Sequence, residues 1–119
     1  MHPLVSRAKS QAPPPWVVFE ALTEPNRPAT PRRWLVLADD EAEPRVLKAT
    51  KPSEVVWSSL WSDRPRDQIR FELESSGSGT SLRWTLLSPD DAPEPDRLKQ
   101  LRHRINFLIN GELRAAFDL

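Results

Sequence analysis

The hydrophobic positions of this chain change period twice, and the changes divide it into three stretches. Apolar residues recur at helical spacing soon after Ala12, alternate through short segments from about Arg33 to Leu87, and return to helical spacing between Pro93 and Phe117. Ahead of the first helix, His2–Gln11 sets Leu4 among small and polar residues, the pattern of an edge strand. Pro13 to Pro15 suit a first helical turn, whose N–H groups lack intrahelical acceptors. Trp16, Phe19 and Leu22, with Val18 alongside, then follow at helical spacing as far as Glu24-Pro25, because a residue before proline avoids the α region. Pro28 and Pro31 make Asn26 to Arg33 a rigid connection without a useful length of helix.

Strands are expected over Arg33–Ala38, Pro44–Thr50, Glu54–Ser62, Gln68–Ser75 and Thr80–Leu87. The alternation is cleanest in the fourth, where Ile69, Phe71 and Leu73 oppose Arg70, Glu72 and Glu74, so one face is buried and the other wet. Val55, Trp57 and Trp61 share a parity in the third strand, as do Leu82, Trp84 and Leu86 in the fifth, which gives the buried face large aromatic groups. The connectors are short: an acidic turn from Ala38 to Glu43, Lys51-Pro-Ser53, and the hairpin Ser76-Gly-Ser-Gly79. None is a crossover of the length a parallel pair requires, so consecutive strands are expected to pair antiparallel.

In the last stretch Leu98, Leu101, Ile105, Leu108, Ile109 and Ala116 form one stripe at 3.6 residues per turn, which must face the sheet. Asp96 is the expected N-cap, with Pro93 and Pro95 outside it, and Gly111 lies within the helical pattern at a cost of about 1 kcal/mol relative to alanine. Stepping 100° per residue places Glu112 inside the apolar stripe and Arg104 on its border. Glu112 then has two readings: a carboxylate in a pocket with a raised pKa, serving as polar anchor or proton-transfer group, or a solvated side chain past the edge of the sheet. Phe107 points away from the stripe, either under the Pro25–Arg33 connection or toward another subunit, and His103 faces outward.

Composition narrows the chemistry. The chain has 119 residues, 38% of them hydrophobic, enough for one domain spanning residues 1–119 and one modest core. Seventeen basic and seventeen acidic residues balance to a formal charge of zero, which argues against a nucleic-acid partner even though arginine outnumbers lysine. With no cysteine and only His2 and His103 as imidazoles, disulfides, thiolate nucleophiles and a nitrogen- or sulfur-ligated metal are excluded, and no metal or other cofactor is expected. No Ser/His/Asp relay or glycine-rich phosphate loop can be assembled. The absence of a membrane-spanning run or signal-peptide pattern leads to the expectation of a soluble, cytoplasmic protein.

Three segments carry a family resemblance: Ala12-Pro-Pro-Pro-Trp-Val-Val-Phe-Glu-Ala-Leu-Thr-Glu-Pro25, Val46-Leu-Lys-Ala-Thr-Lys-Pro-Ser-Glu-Val-Val-Trp57 and Gly77-Ser-Gly-Thr-Ser-Leu-Arg-Trp84. Together they resemble the START-like polyketide cyclase/dehydratase and lipid-transport (SRPBCC) superfamily, near its chaperone-ATPase-activator-like branch. The resemblance implies an α+β helix-grip fold: a curved antiparallel sheet of about six strands around a long C-terminal helix, with a short helix after the first strand. It also implies binding of a small hydrophobic ligand, lipid or polyketide-like, between sheet and helix. The expected lining is Trp34, Trp57, Trp61, Phe71, Trp84, Leu101 and Leu108, with Arg104 and Glu112 as polar anchors. The tryptophans either line such a cavity or fill it. The alternatives are a cyclase/dehydratase-type enzyme using Glu112, and a homodimeric protein-interaction module with a closed core.

Overall fold

The computed structural model of the chain describes residues 1–25 and 34–117. Five strands, β1 (His2–Gln11), β2 (Val46–Thr50), β3 (Glu54–Ser58), β4 (Gln68–Ser76) and β5 (Gly79–Ser88), form one sheet in the order β1-β5-β4-β3-β2. Every adjacent pair is antiparallel. The β4–β5 hairpin closes through Gly77-Ser78, and Gly77 adopts φ 59°, a left-handed conformation that glycine takes without steric cost. Gly79 is required for a different reason: a Cβ there would lie 2.5 Å from the Gln11 carbonyl oxygen, where β1 leaves the sheet.

Register assigns the two faces. Val55 pairs with Phe71, Phe71 with Trp84, Leu73 with Leu82, and Ile69 with both Trp57 and Leu86, which collects the large apolar side chains on one side. The other face carries a charge ladder, Lys48–Glu54 at 2.8 Å and Arg70–Glu72 at 3.1 Å, as the alternation in β4 predicts. Val5, Arg7 and Lys9 of β1 stand opposite Leu86, Trp84 and Leu82, so the first strand carries its cations onto the inner face.

Helix α1 (Pro15–Thr23) has Pro15 at its first position and buries Val18 and Leu22 against the sheet. Helix α2 (Pro95–Asn106) begins two residues earlier than expected: Glu94, not Asp96, is the N-cap, because Pro95 is already shaped for a first turn, and Asp96 favours the positive end of the helix dipole from within that turn. The helix continues through a π-helical segment, Phe107–Leu113, and a last short turn, α3 (Arg114–Ala116).

Two expectations are corrected. The sheet has five strands rather than six, since residues 34–38 do not pair into it. There Trp34 and Leu35 are both buried, which a two-residue period cannot accommodate, and the Val36 carbonyl accepts a side-chain hydrogen bond from Arg104. Arg33 and the proline-rich Asn26–Arg33 connection lie outside the described residues. The helix phase also differs. A π turn advances roughly 80° per residue rather than 100°, so across Phe107–Leu113 the stripe shifts by one position. Leu113 becomes fully buried, and Glu112 moves off the sheet-facing stripe to a half-buried flank. The architecture is otherwise the expected α+β arrangement of an antiparallel sheet against a long C-terminal helix.

Candidate functional site

The inner face of the sheet is held by two different sets of interactions. On the β3 side the aromatic groups pack together: Trp34 stacks on Trp57 with ring centroids 5.9 Å apart, and Trp57 meets Phe71 edge-on at 4.8 Å. The last carbonyls of a helix have no intrahelical donor, and at α1 two of them are satisfied by these indoles. Trp57 Nε1 donates to the Leu22 carbonyl at 2.8 Å and Trp34 Nε1 to that of Ala21 at 3.1 Å. Each tryptophan therefore fills the core and also fixes the end of α1.

Arg104 and Trp61 belong to a clasp on the same side. Arg104 donates through Nε and Nη2 to both oxygens of Glu41 at 2.9–3.1 Å, and through Nη2 to the Val36 carbonyl at 2.8 Å. Glu41 also accepts from the Trp61 indole at 3.1 Å and the Ala38 N–H at 2.9 Å, and its side chain is only 1% exposed. Burial works to raise the Glu41 carboxyl, but the Arg104 hydrogen bonds, then the Ala38 N–H and the Trp61 indole, outweigh it and hold the group below its ordinary value. At the far end of β4 and β5, Arg64 ties Asp67 at 2.9 Å to the Ser88 hydroxyl and the Asp91 carbonyl.

The β1 side is built differently. Trp84 is fully buried, yet its Nε1 has no hydrogen-bond partner among the described residues, whereas the indoles of Trp34, Trp57 and Trp61 are all engaged. Gln11, 2% exposed, donates to Asn110 of the π segment at 3.2 Å, and its Oε1 has no partner among the described residues. Nearer the start of α2, strand and helix diverge into a groove of about 430 Å³. Half-buried Leu4, Val5 and Leu98 form its floor with Pro95, and Lys99 and Arg102 stand at its rim. That volume lies within the range of roughly 300–1,000 Å³ typical of small-molecule sites.

The residues expected to line a ligand cavity are therefore dispersed. Trp34, Trp57, Phe71, Trp84, Leu101 and Leu108 are core residues at most 4% exposed, and none of them lines the groove. Trp61 borders an open acidic cleft with Asp39, Asp40 and Glu43, and Arg104 is held by Glu41. Glu112 has no hydrogen bond or ion pair among the described residues. The groove residues Leu4, Val5, Leu98, Lys99 and Arg102 escaped sequence reasoning. Their only signal was an apolar pair in a polar edge strand and two cations spaced three apart beside the apolar stripe. No group of three metal-ligating side chains is present among the described residues, nor is any helix among them long and apolar enough to cross a membrane.

No protein-family model matches the chain, and no curated protein matches it in sequence. Solved structures do match its fold. CalU16 from Micromonospora echinospora superposes with a TM-score of 0.66 at 16% identity, covering 89% of this chain and 71% of CalU16. The Aha1 dimer from Colwellia psychrerythraea gives 0.60 at 15% identity, covering 91% and 92%. Ara h 8.0201 gives 0.57 at 12% identity, covering 97% of each chain. The fold is START-like helix-grip, as the sequence resemblance implied.

Proposed function

We propose that the protein binds a small hydrophobic ligand at the seam between β1 and α2. The reading rests on one observation: the apolar floor of Leu4, Val5 and Leu98 lies where the sheet and the long helix part, in a groove large enough for a small molecule. The likeness in fold to CalU16 and Ara h 8.0201 is compatible with this role without specifying a ligand. Titration with phenylnaphthylamine, a neutral apolar fluorophore, should give saturable enhancement with one site per chain. In Leu98→Glu the affinity should fall at least about tenfold, with the far-UV spectrum retained. Non-saturating fluorescence, or equal affinity in the variant, refutes the assignment.

A second reading, a homodimeric interaction module, has its own support. Val36 and Phe107 are 57% and 53% exposed and flank Arg104, whose guanidinium lies 5.5 Å from the Phe107 ring. An apolar patch around an arginine suits a protein contact. If it serves as one, Phe107→Glu should convert a dimer to a monomer in native mass spectrometry. A wild-type monomer at micromolar concentration would remove this reading.

A further inference from the structure

We infer that the groove between β1 and α2 takes an amphiphilic anion: a soluble single-chain carboxylate whose tail lies on Leu4, Val5 and Leu98 and whose head is held by Lys99 and Arg102. The inference deepens the ligand-binding reading and rests on it. Its basis is the way charge is distributed. The chain is neutral overall, and among the described residues six cations are matched by carboxylates, Arg64 by Asp67, Arg66 by Asp90, Arg70 by Glu72, Arg97 by Asp63, Arg104 by Glu41 and Lys48 by Glu54, while Arg45, Lys51, Arg83 and Arg114 are unmatched but line no apolar groove with a second cation. Lys99 and Arg102 have no such partner among the described residues, and no carboxylate lines the groove.

The field extends along the seam. Arg7 and Lys9 follow Val5 on the inner face of β1, both exposed and both without an ion pair among the described residues. Asp96 is the nearest acidic residue on the helix, one turn before Lys99, and makes no ion pair with it. Four unpaired cations along one apolar seam of a neutral protein complement a ligand that is apolar at one end and anionic at the other. A neutral apolar ligand would leave that charge unused. An anionic membrane surface would engage the cations without needing a recess of 430 Å³.

The test is displacement of phenylnaphthylamine by decanoate and by decanol, which share a tail and differ in head group. Decanoate should compete about tenfold more strongly at low salt, and its advantage should shrink as ionic strength rises. In the Lys99→Gln/Arg102→Gln double variant the ratio of the two affinities should fall toward unity. Lys51→Gln, which removes a charge from the β2–β3 turn, controls for net charge and should preserve the ratio. Equal competition by acid and alcohol overturns the anion inference while leaving an apolar site. Failure of the probe to bind at all overturns the ligand-binding reading itself. Salt-sensitive co-sedimentation with phosphatidylglycerol vesicles, without competition by decanoate, assigns the cations to a membrane surface and also overturns the inference.

Discussion

The two sides of the long helix are closed by opposite means. Toward β3 the closure is dry and fully satisfied: aromatic rings stack, indole N–H groups complete the end of α1, and an arginine and a glutamate meet with their hydrogen bonds filled. Toward β1 the inner face ends in Arg7, Lys9 and Gln11, an indole N–H beneath them is unpartnered, and strand and helix part into a groove. Buried polar groups without partners cost free energy; among the described residues Trp84 Nε1 and Gln11 Oε1 lie on the β1 side, while Asp67 Oδ1 and Arg70 Nε lie at the start of β4 and on it. The dry side stabilises the fold, and the β1 side is where we propose that a ligand binds.

The largest effect should come from the dry side. Trp57→Ala removes a fully buried ring and the donor to the Leu22 carbonyl, and should cost about 4 kcal/mol in urea denaturation, a large share of the stability of a domain this size. A loss below about 1 kcal/mol would mean that this side is not the structural one.

Glu41→Gln should follow at about 2–3 kcal/mol, because it leaves the partly buried Arg104 without a counter-charge. This contribution also has a pH signature. Since the folded-state carboxyl lies below its ordinary value, its stabilisation is present above that value and is lost as pH falls through the lowered one. The acid limb of the stability profile should therefore be shallower in Glu41→Gln than in wild type. Identical acid limbs would deny Glu41 this role.

Trp84→Phe sharpens the contrast. It deletes an indole N–H that has no partner, so it should cost about 1 kcal/mol less than Trp57→Phe, which deletes a satisfied one. Equal losses would imply that the hydrogen bond to α1 contributes little. The smallest effect should be that of Lys99→Gln/Arg102→Gln, which in ligand-free protein should stay within about 0.5 kcal/mol of wild type. A larger loss would make these cations structural.

Much of the fold was legible because period-two alternation reports directly on which face is buried. The parity of Ile69, Phe71 and Leu73, the glycine hairpin and the proline-led start of α1 all follow from local rules. Residues 34–38 read as a strand because they are apolar, but burial of the consecutive pair Trp34 and Leu35 is settled by α1 and Arg104, which are distant in sequence. Glu112 was misplaced because a helical wheel assumes a constant step, and a π segment changes that step without a compositional mark. Glu41 lay hidden in an acidic turn, where nothing distinguishes the one carboxylate that Arg104 reaches across 63 positions. The groove was illegible for a related reason, since it exists only where two segments at opposite ends of the sequence diverge.

The most direct test is a two-dimensional amide spectrum of the protein titrated with decanoate, because it reads both sides of the helix at once. The backbone amides of Leu4, Val5, Leu98 and Lys99 should shift in a saturable way, while the indole N–H signals of Trp34 and Trp57 stay in place. Shifts concentrated on Trp34 and Trp57, with the β1–α2 amides unmoved, would put the ligand in the core and contradict the account.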